Sequence, residues 1–350
     1  MKGCSVILGT LAGGEAAALM VDGRLEDLIL DPGRCLAFGP GAILRGTVGR
    51  LAKGQGGVFL RLPDGETGFL RDRNRLSEGQ SLLVQVSGVA EAGKAVPLTA
   101  RLLFRGRWAI VTPGAEGVNV SRAIRDEQAR GRLTALGEAA MTRLPGAGAI
   151  LRSAAETADD EDIRAELEAL ADLAARVLAD AAGAPELLLD APDPAESAWR
   201  DWASPAPDSV EDGPDAFVLS GAADAVEALV RPGVALPGGA HAMIESTHAL
   251  VAVDVNTGTD NSAAAALKAN IALARELPRQ LRLRGLGGQV VVDFAPIPRR
   301  DRGTLEQVLR AAFRHDGAET TLIGWTAMGL FELSRKRDRL PLARWLAAGP

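Results

Sequence analysis

Two short apolar runs of the chain each end in an aspartate, at Asp254 and Asp293. Such runs are typical of buried strands, and residues 262–284 between them predict a crossover helix. Strands joined in this way lie parallel, so both carboxylates are expected at one sheet edge. Neighbouring strands are about 4.8 Å apart, so the two carboxylates could share one cation. Asn256, two residues after Asp254, points to the same side. The spacing therefore predicts a site for Mg²⁺, with Mn²⁺ as a second possible ion.

Each aspartate also has a structural interpretation, because an aspartate after a strand commonly caps a helix or stabilises a turn. For either residue alone that interpretation is the better one. Two aspartates at matching strand ends, the first followed by Asn-Thr-Gly, favour the metal site. His241 and His248 precede the first aspartate strand, and we interpret them as surface residues rather than ligands.

Length and composition restrict the class of protein. With 350 residues, 47% of them hydrophobic, the chain predicts two to four domains. It has neither a run of 18 apolar residues nor a signal-peptide pattern, which predicts a cytoplasmic protein without a membrane span. Two cysteines are too few for a disulfide framework and lack zinc-ligand spacing.

Charge is unevenly distributed along the chain. The net charge of −6 argues against a generally cationic nucleic-acid binder. Residues 156–227 hold 20 acids against three arginines, whereas residues 275–350 hold 14 lysines and arginines against eight acids. The second aspartate strand therefore lies in a basic segment that would attract an anionic substrate. Five basic residues are candidates for phosphate contacts: Arg282, Arg284, Arg335, Lys336 and Arg337. The alternative is that some of them only form the solvated face of a helix.

Turn signals organise the first third of the chain. Residues 16–21 followed by Asp22-Gly23 predict a hairpin. Residues 40–104 alternate short apolar runs with glycine-rich turns, which is typical of a small β-barrel. Phe59 and Phe69 lie on neighbouring strands of this barrel, either as base-stacking residues or as part of its core.

The middle of the chain predicts mixed structure. Residues 160–182 have the pattern of an amphipathic helix with an acidic exposed face. Residues 190–215 are rich in Pro, Asp and Ser and predict a linker or long loop. A short strand at residues 217–219 and a helix at residues 223–230 are expected before the aspartate strands begin.

Three blocks of the sequence resemble the ribonuclease E/G family. They are residues 250–258 (LVAVDVNTG), 279–294 (RQLRLRGLGGQVVVDF) and 329–337 (GLFELSRKR), in the order found in that family. More weakly, residues 46–70 resemble the family's S1 barrel, and residues 117–122 with 149–153 resemble its 5′-sensor region.

The resemblance implies a multidomain fold of α+β and α/β type. The expected order is a split RNase H-like domain at residues 1–38, an inserted S1 barrel of OB type at 39–104 and a 5′-sensor-like region at 105–190. A linker with the second RNase H-like part follows at 191–240, and a DNase I-like catalytic domain at 241–350.

The resemblance also implies an endoribonuclease that cuts single-stranded RNA in RNA processing or decay, leaving 5′-phosphate and 3′-hydroxyl ends. Asp254 and Asp293 would ligate Mg²⁺, and Asn256 would orient a carboxylate or contact the scissile phosphate. Phe59, Phe69 and Lys94 of the barrel would bind RNA. An RNA-binding protein of the same fold that has lost cleavage is the main alternative, and a phosphodiesterase acting on DNA is a weaker one.

A 5′-end pocket is a further implication of the resemblance. It would consist of Gly117, Arg122, Arg152 and Ser153, supported in the family by a second arginine. At the aligned position this chain has Glu319, whose carboxylate would repel a phosphate. We therefore expect little recognition of a 5′-monophosphate.

Two further departures from the family concern metal ligands. Larger members have a CxxC zinc link after the third block, whereas this sequence ends about ten residues after Leu342. This predicts no zinc site and no zinc-linked partner subunit, and leaves oligomers through other surfaces open. Residues 295–298 lack a third acid that is often present in the family, so the shell around the metal is expected to differ.

Overall fold

The computed structural model describes residues 3–52, 56–71, 76–260 and 262–349. The chain divides into two compact units, one formed by residues 1–30 with 209–350 and the other by residues 31–208. None of the helices in the described ranges is long and apolar enough to cross a membrane.

The regular elements follow one another in this order. Strands are β1 (Cys4–Leu11), β2 (Gly14–Val21), β3 (Arg24–Leu30), β4 (Ile43–Ala52), β5 (Gly57–Arg61), β6 (Thr67–Leu70), β7 (Ser81–Val86), β8 (Val96–Thr99), β9 (Phe104–Arg105), β10 (Ala109–Pro113), β11 (Gly117–Val120), β12 (Ala147–Leu151), β13 (Glu186–Leu189), β14 (Ser209–Asp212), β15 (Gly233–Ala235), β16 (His241–Ser246), β17 (Val251–Asn256), β18 (Gly288–Asp293), β19 (Thr320–Trp325) and β20 (Phe331–Arg335). Helices are α1 (Glu127–Met141), α2 (Asp160–Ala179), α3 (Pro194–Trp202), α4 (Ala216–Leu219), α5 (Ala222–Val230), α6 (Ala263–Leu283), α7 (Arg299–Arg314) and α8 (Leu342–Ala347).

A four-stranded sheet in the first unit has the order β14-β1-β2-β3. The predicted hairpin is confirmed: β2 and β3 pair antiparallel, and Asp22 and Gly23 between them both have positive φ, 50° and 77°. Such a turn matches the twist of the two strands it joins. Strand β14 pairs parallel with β1, so this sheet combines the first 30 residues with a segment some 200 residues later.

The second sheet of this unit has the order β15-β16-β17-β18-β20-β19. Strands β17 and β18 are parallel, as predicted, and α6 connects them with Ser262 as its N-cap. One face carries buried valines that pack with the apolar stripe of α6 and with α7: Val251, Val253, Val290 and Val292 on the strands, and Leu273 and Leu277 on α6. The other face carries the polar residues of the same strands, because side chains alternate along a strand.

In the second unit, strands β4 to β8 close into the expected barrel through the pairing of β4 with β7. Its interior contains Val58, Leu60 and Leu70. A second sheet, in the order β11-β12-β10-β9, packs with α1 and with α2. Helix α2 is the acidic amphipathic helix that the sequence predicts.

Two expectations for the middle of the chain are wrong. Residues 190–215 contain α3 and β14 rather than a continuous loop. The polar residues that suggested a loop start the helix instead, because Asp193 and Glu196 form a capping box around Pro194. Phe217, expected in a strand, lies in α4 and is buried, whereas Leu219 of the same short helix is 80% exposed.

Candidate active site

Asp254 and Asp293 are the last paired residues of β17 and β18 and lie directly opposite each other. Adjacent strands are about 4.8 Å apart, so two side chains in register on one face are close enough to share a cation. Both aspartates are exposed. Among the ion pairs of the described residues, none involves either carboxylate. The structure therefore brings the two predicted ligands together with their oxygens open to solvent.

Asn256 lies on the same face, two residues beyond Asp254. Its side-chain oxygen accepts a hydrogen bond from the backbone N–H of Gly258, at 2.9 Å. This turn requires glycine, because Gly258 has a φ of +74° and a Cβ there would lie 2.7 Å from the carbonyl oxygen of Gly239. Since the oxygen is engaged, the amide NH₂ group of Asn256 is the part that can donate to a carboxylate or a phosphate.

His241 is a neighbour of this site that the sequence analysis did not identify. It pairs with Asn256 across the antiparallel strands β16 and β17, and directly opposite residues point to the same face. His241 is exposed, in agreement with its interpretation as a surface residue. The register of β16 against β17 is set by a turn at residues 247–250, in which the N–H of Leu250 donates to the hydroxyl of Thr247 at 3.1 Å. Thr247 is the local turn signal in the sequence that could have indicated this register.

The donor chemistry of the aspartate pair fits Mg²⁺. In proteins this ion is usually held by one or two carboxylates and keeps several water ligands. Within the described residues, no three His, Cys, Asp or Glu side chains gather into a group that could enclose a metal ion. A site with two carboxylates therefore suits an ion that retains water better than one that needs a full set of protein ligands.

Two of the arginines predicted to contact phosphate lie inside the first unit. Arg284 is 8% exposed and donates to the carbonyl oxygens of Leu229 and Arg231, at 2.6 and 2.8 Å. Burial lowers the pKa of Arg284. Arg335 is 3% exposed and forms an ion pair with Asp316. Their guanidinium groups are enclosed, so the prediction of RNA contacts at these two positions is corrected to a structural role.

The other three basic candidates differ in how much of each side chain is exposed to solvent. Arg282 is largely buried and pairs with Asp316 at 2.7 Å and with Glu26 at 2.9 Å. Lys336 and Arg337 are exposed just after β20. Of the five basic candidates, these last two are therefore the ones whose side chains reach the surface.

Phe59 and Phe69 lie opposite each other on β5 and β6 of the barrel. Their ring centroids are 5.3 Å apart, with a tilt of 55°. Both rings are half-buried, while Val58 and Leu70 beside them fill the barrel interior. The geometry is that of an aromatic pair on the outside of the barrel. Lys94 is exposed in the turn before β8 and pairs with Glu91 at 2.6 Å.

Arg152, the central residue of the predicted 5′-end pocket, has its hydrogen-bond donors engaged inside the second unit. One terminal nitrogen donates to the carbonyl oxygens of Gly106 and Arg200, at 2.8 and 3.1 Å. The other forms an ion pair with Asp201 at 2.8 Å. Burial raises the pKa of Asp201, but hydrogen bonds and charges from Arg200 and Arg152 outweigh it and hold the pKa below its ordinary value.

The remaining pocket residues are only partly assembled. The end of β11 lies beside the end of β12, since the N–H of Ser121 donates to the carbonyl of Leu151 at 2.8 Å. Arg122 and Ser153, which are both exposed, each follow one of these two strand ends by two residues. Gly117 instead pairs with Gly148 at the opposite end of those strands.

Comparison with known proteins identifies a family to which the sequence is similar. The sequence profile of the Ribonuclease E/G family matches residues 104–212 and 208–338, more than half of the chain. Ribonuclease E of Nostoc sp. (strain PCC 7120 / SAG 25.82 / UTEX 2576) is 29% identical over 379 aligned positions, which cover 93% of this chain and 54% of that protein. Ribonuclease G of Haemophilus influenzae is 28% identical over 298 positions, covering 75% of this chain and 60% of that protein.

Ribonuclease G of Escherichia coli K12 is likewise 28% identical, over 307 positions that cover 77% of this chain and 62% of the relative. The chain thus spans between 54% and 62% of the length of these three relatives.

Proposed function

The chain belongs to the ribonuclease E/G family, and on that premise we propose that it is a Mg²⁺-dependent endoribonuclease acting on single-stranded RNA. The observation that carries the proposal is the register of Asp254 with Asp293 on parallel strands, with both carboxylates exposed. The names of the relatives, all ribonucleases, support the same reaction class.

In the proposed reaction, water attacks the scissile phosphorus and the bond to the 3′ oxygen breaks, which leaves a 3′-hydroxyl and a 5′-phosphate. Bound Mg²⁺ would lower the pKa of its water and offset negative charge on the phosphate oxygens. Asp254 and Asp293 supply the two negative charges that hold the cation. The NH₂ group of Asn256, directed by the turn at Gly258, donates to a phosphate oxygen or to a neighbouring carboxylate.

The single strand would be bound by two kinds of group. Phe59 and Phe69 present an aromatic pair on which unpaired bases can stack, and Lys94 lies in a turn of the same barrel. Lys336 and Arg337 offer positive charge in the unit that carries the aspartates. Stacking and phosphate contacts do not depend on base identity, so a broad range of unstructured RNA sequences is expected to bind.

The direct test is incubation of the purified protein with an end-labelled, unstructured RNA and a DNA of the same sequence. We expect internal cleavage of the RNA with Mg²⁺, none with chelator, and recovery when Mg²⁺ is restored. Fragments should be ligatable through a 5′-phosphate. RNA binding without cleavage would instead identify a non-catalytic RNA-binding protein, and equal cleavage of DNA would identify a general phosphodiesterase.

A further inference from the structure

Helix α6 carries a polar side chain in the middle of its buried face. Asn270 is completely buried among apolar neighbours of the helix, which include Ala269 and Leu273. Burying an amide without partners is costly, so its hydrogen bonds explain how it is tolerated. Both are made to one residue: its amide NH₂ donates to the carbonyl oxygen of Ala295 at 2.9 Å, and its oxygen accepts from the N–H of Ala295 at 3.0 Å.

The orientation of this amide is fixed by its partner. A backbone carbonyl can only accept and a backbone N–H can only donate, so reversing the Asn270 side chain would lose both bonds. The pair therefore acts as a two-point clamp between α6 and the backbone at residue 295.

Ala295 lies just beyond the point where the sheet stops holding the chain. The pairing of β18 with β17 ends at Asp293, and its pairing with β20 ends one residue earlier, at Val292. Asp293 is thus held on one side by the sheet and, two residues later, by Asn270. Phe294 between them is buried, with its ring 6.3 Å from that of Phe331.

We propose that Asn270 is a positioning residue that holds the backbone after β18 and thereby keeps the Asp293 carboxylate aligned with Asp254 for Mg²⁺ binding. The inference rests on the proposed function of the aspartate pair. Mg²⁺ demands near-ideal octahedral geometry, so its affinity is sensitive to a small displacement of one ligand. Groups that orient ligands without touching the metal typically change metal affinity 10- to 100-fold when removed.

The test measures Mg²⁺ binding to the full chain directly by isothermal titration calorimetry, without RNA. We expect Asn270→Ala to weaken Mg²⁺ binding about 10-fold or more. The matched control is Leu273→Ala on the same buried face of α6, which creates a cavity but keeps both bonds to Ala295. The Mg²⁺ affinity of Leu273→Ala is expected to stay within about twofold of wild type, even if its melting temperature falls as much as that of Asn270→Ala.

If Asn270→Ala does not fold, Asn270→Leu carries the same test, because it keeps the branched shape of the side chain but can make neither bond to Ala295. Because leucine is as uncharged as asparagine, weaker Mg²⁺ binding would indicate lost geometry. Wild-type affinity in either folded Asn270 variant, or an equal loss in Leu273→Ala, would overturn the positioning role alone. Wild-type binding that is absent, or unchanged in Asp293→Asn, would overturn the proposed function as well.

Discussion

Asp254 and Asp293 in one unit and Arg152 in the other are all charged residues with a predicted role in binding RNA or its metal ion. The structure surrounds them differently. Asp254 and Asp293 face solvent in register, and no ion pair of the described residues uses them. Arg152 donates to backbone carbonyls and to Asp201, so its charge is already matched within its unit.

This difference separates residue type from chemical availability. A carboxylate pair without a cation is electrostatically unsatisfied and gains from binding one, whereas an arginine paired with a carboxylate must give up that partner before it can bind a phosphate. The same distinction divides the basic residues of the first unit, where Arg335 is enclosed and Lys336 is exposed.

The largest expected effect concerns the exposed acids. Asp254→Asn or Asp293→Asn removes one of the two charges proposed to hold Mg²⁺ while keeping the volume, so we expect RNA cleavage to fall at least about 10⁴-fold, or about 5.4 kcal/mol. RNA affinity should change only a few-fold. The measurement is single-turnover cleavage with saturating protein.

The control for the aspartate variants is Glu227→Gln, which removes an exposed carboxylate from α5 in the same unit. It should cleave like wild type. Wild-type turnover by either aspartate variant would rule out the two-carboxylate mechanism.

The next effect is on stability and compares neighbouring basic residues. Arg335→Ala removes a buried partner of Asp316, whose side chain is 1% exposed. Asp316 keeps Arg282 as a second partner, so unfolding free energy should fall by about 3 kcal/mol, the low end of the range for breaking a buried ion pair. Urea denaturation measures the change.

Lys336→Ala is the matched variant, because Lys336 follows Arg335 directly but is exposed. Its stability should stay within about 0.5 kcal/mol of wild type. Its affinity for single-stranded RNA should fall, and the slope of log affinity against log salt should decrease by about 0.7. A stable Arg335→Ala protein with the same salt effect would place both side chains on the RNA-binding surface.

The sheet that carries the two aspartates was the part of the fold most predictable from the sequence. Two apolar runs, a capped helix between them and a right-handed crossover leave little freedom, so the parallel pairing and the register of Asp254 with Asp293 could be expected. The glycine-spaced barrel and the Asp-Gly hairpin were predictable for a similar reason, because their turns have local signatures.

The partners of the arginines were not predictable, because they come from distant parts of the chain. Glu26, a partner of Arg282, is 256 residues away, and Asp316 is 34 residues away. Consecutive basic residues such as Arg335 and Lys336 therefore suggest one basic surface in the sequence, although the fold buries the first and exposes the second. The helix within residues 190–215 was not predicted because its local signals are ambiguous. Asp and Pro occur both in loops and at helix starts, and burial of Trp202 favours the helix.

A smaller effect is expected on the barrel. Replacing Phe59 and Phe69 together by alanine should weaken binding of single-stranded RNA, since each stacked base contributes about 1 to 3 kcal/mol. Because the rings lie outside the barrel core, the melting temperature should fall only modestly. Fluorescence anisotropy with a labelled oligonucleotide measures the affinity.

The double leucine variant, Phe59→Leu with Phe69→Leu, keeps apolar area but removes the aromatic faces. It should bind nearly as weakly as the alanine variant. If the leucine variant binds like wild type, simple apolar contact rather than base stacking explains the binding. If the alanine variant does not fold, both rings belong to the barrel core.

The smallest expected effect is at the 5′ end of the RNA. We expect 5′-monophosphorylated and 5′-hydroxyl forms of one RNA to be cleaved at rates within about tenfold, or about 1.4 kcal/mol, of each other. Asp201 forms an ion pair with Arg152, and we expect Glu319 to replace the second arginine that supports this pocket in the family. Because the pKa of Asp201 lies below its ordinary value of 3.8, its stabilising pairing is present above that value and is lost only as pH falls through the lowered pKa. It therefore persists across the pH 6 to 8 range of a cleavage assay.

Asp201→Asn tests whether this internal pairing is what limits recognition of the 5′ end. The amide keeps the shape of the side chain but removes the negative charge that is paired with Arg152, so the ratio of cleavage rates should move toward the monophosphorylated RNA by a few-fold. Glu319→Gln in the same assay separates the second cause, since it removes the repelling carboxylate and leaves Arg152 paired. A wild-type preference for the 5′-monophosphate above about tenfold would show that Arg152 exchanges Asp201 for phosphate, or that the exposed Arg122 takes over its role.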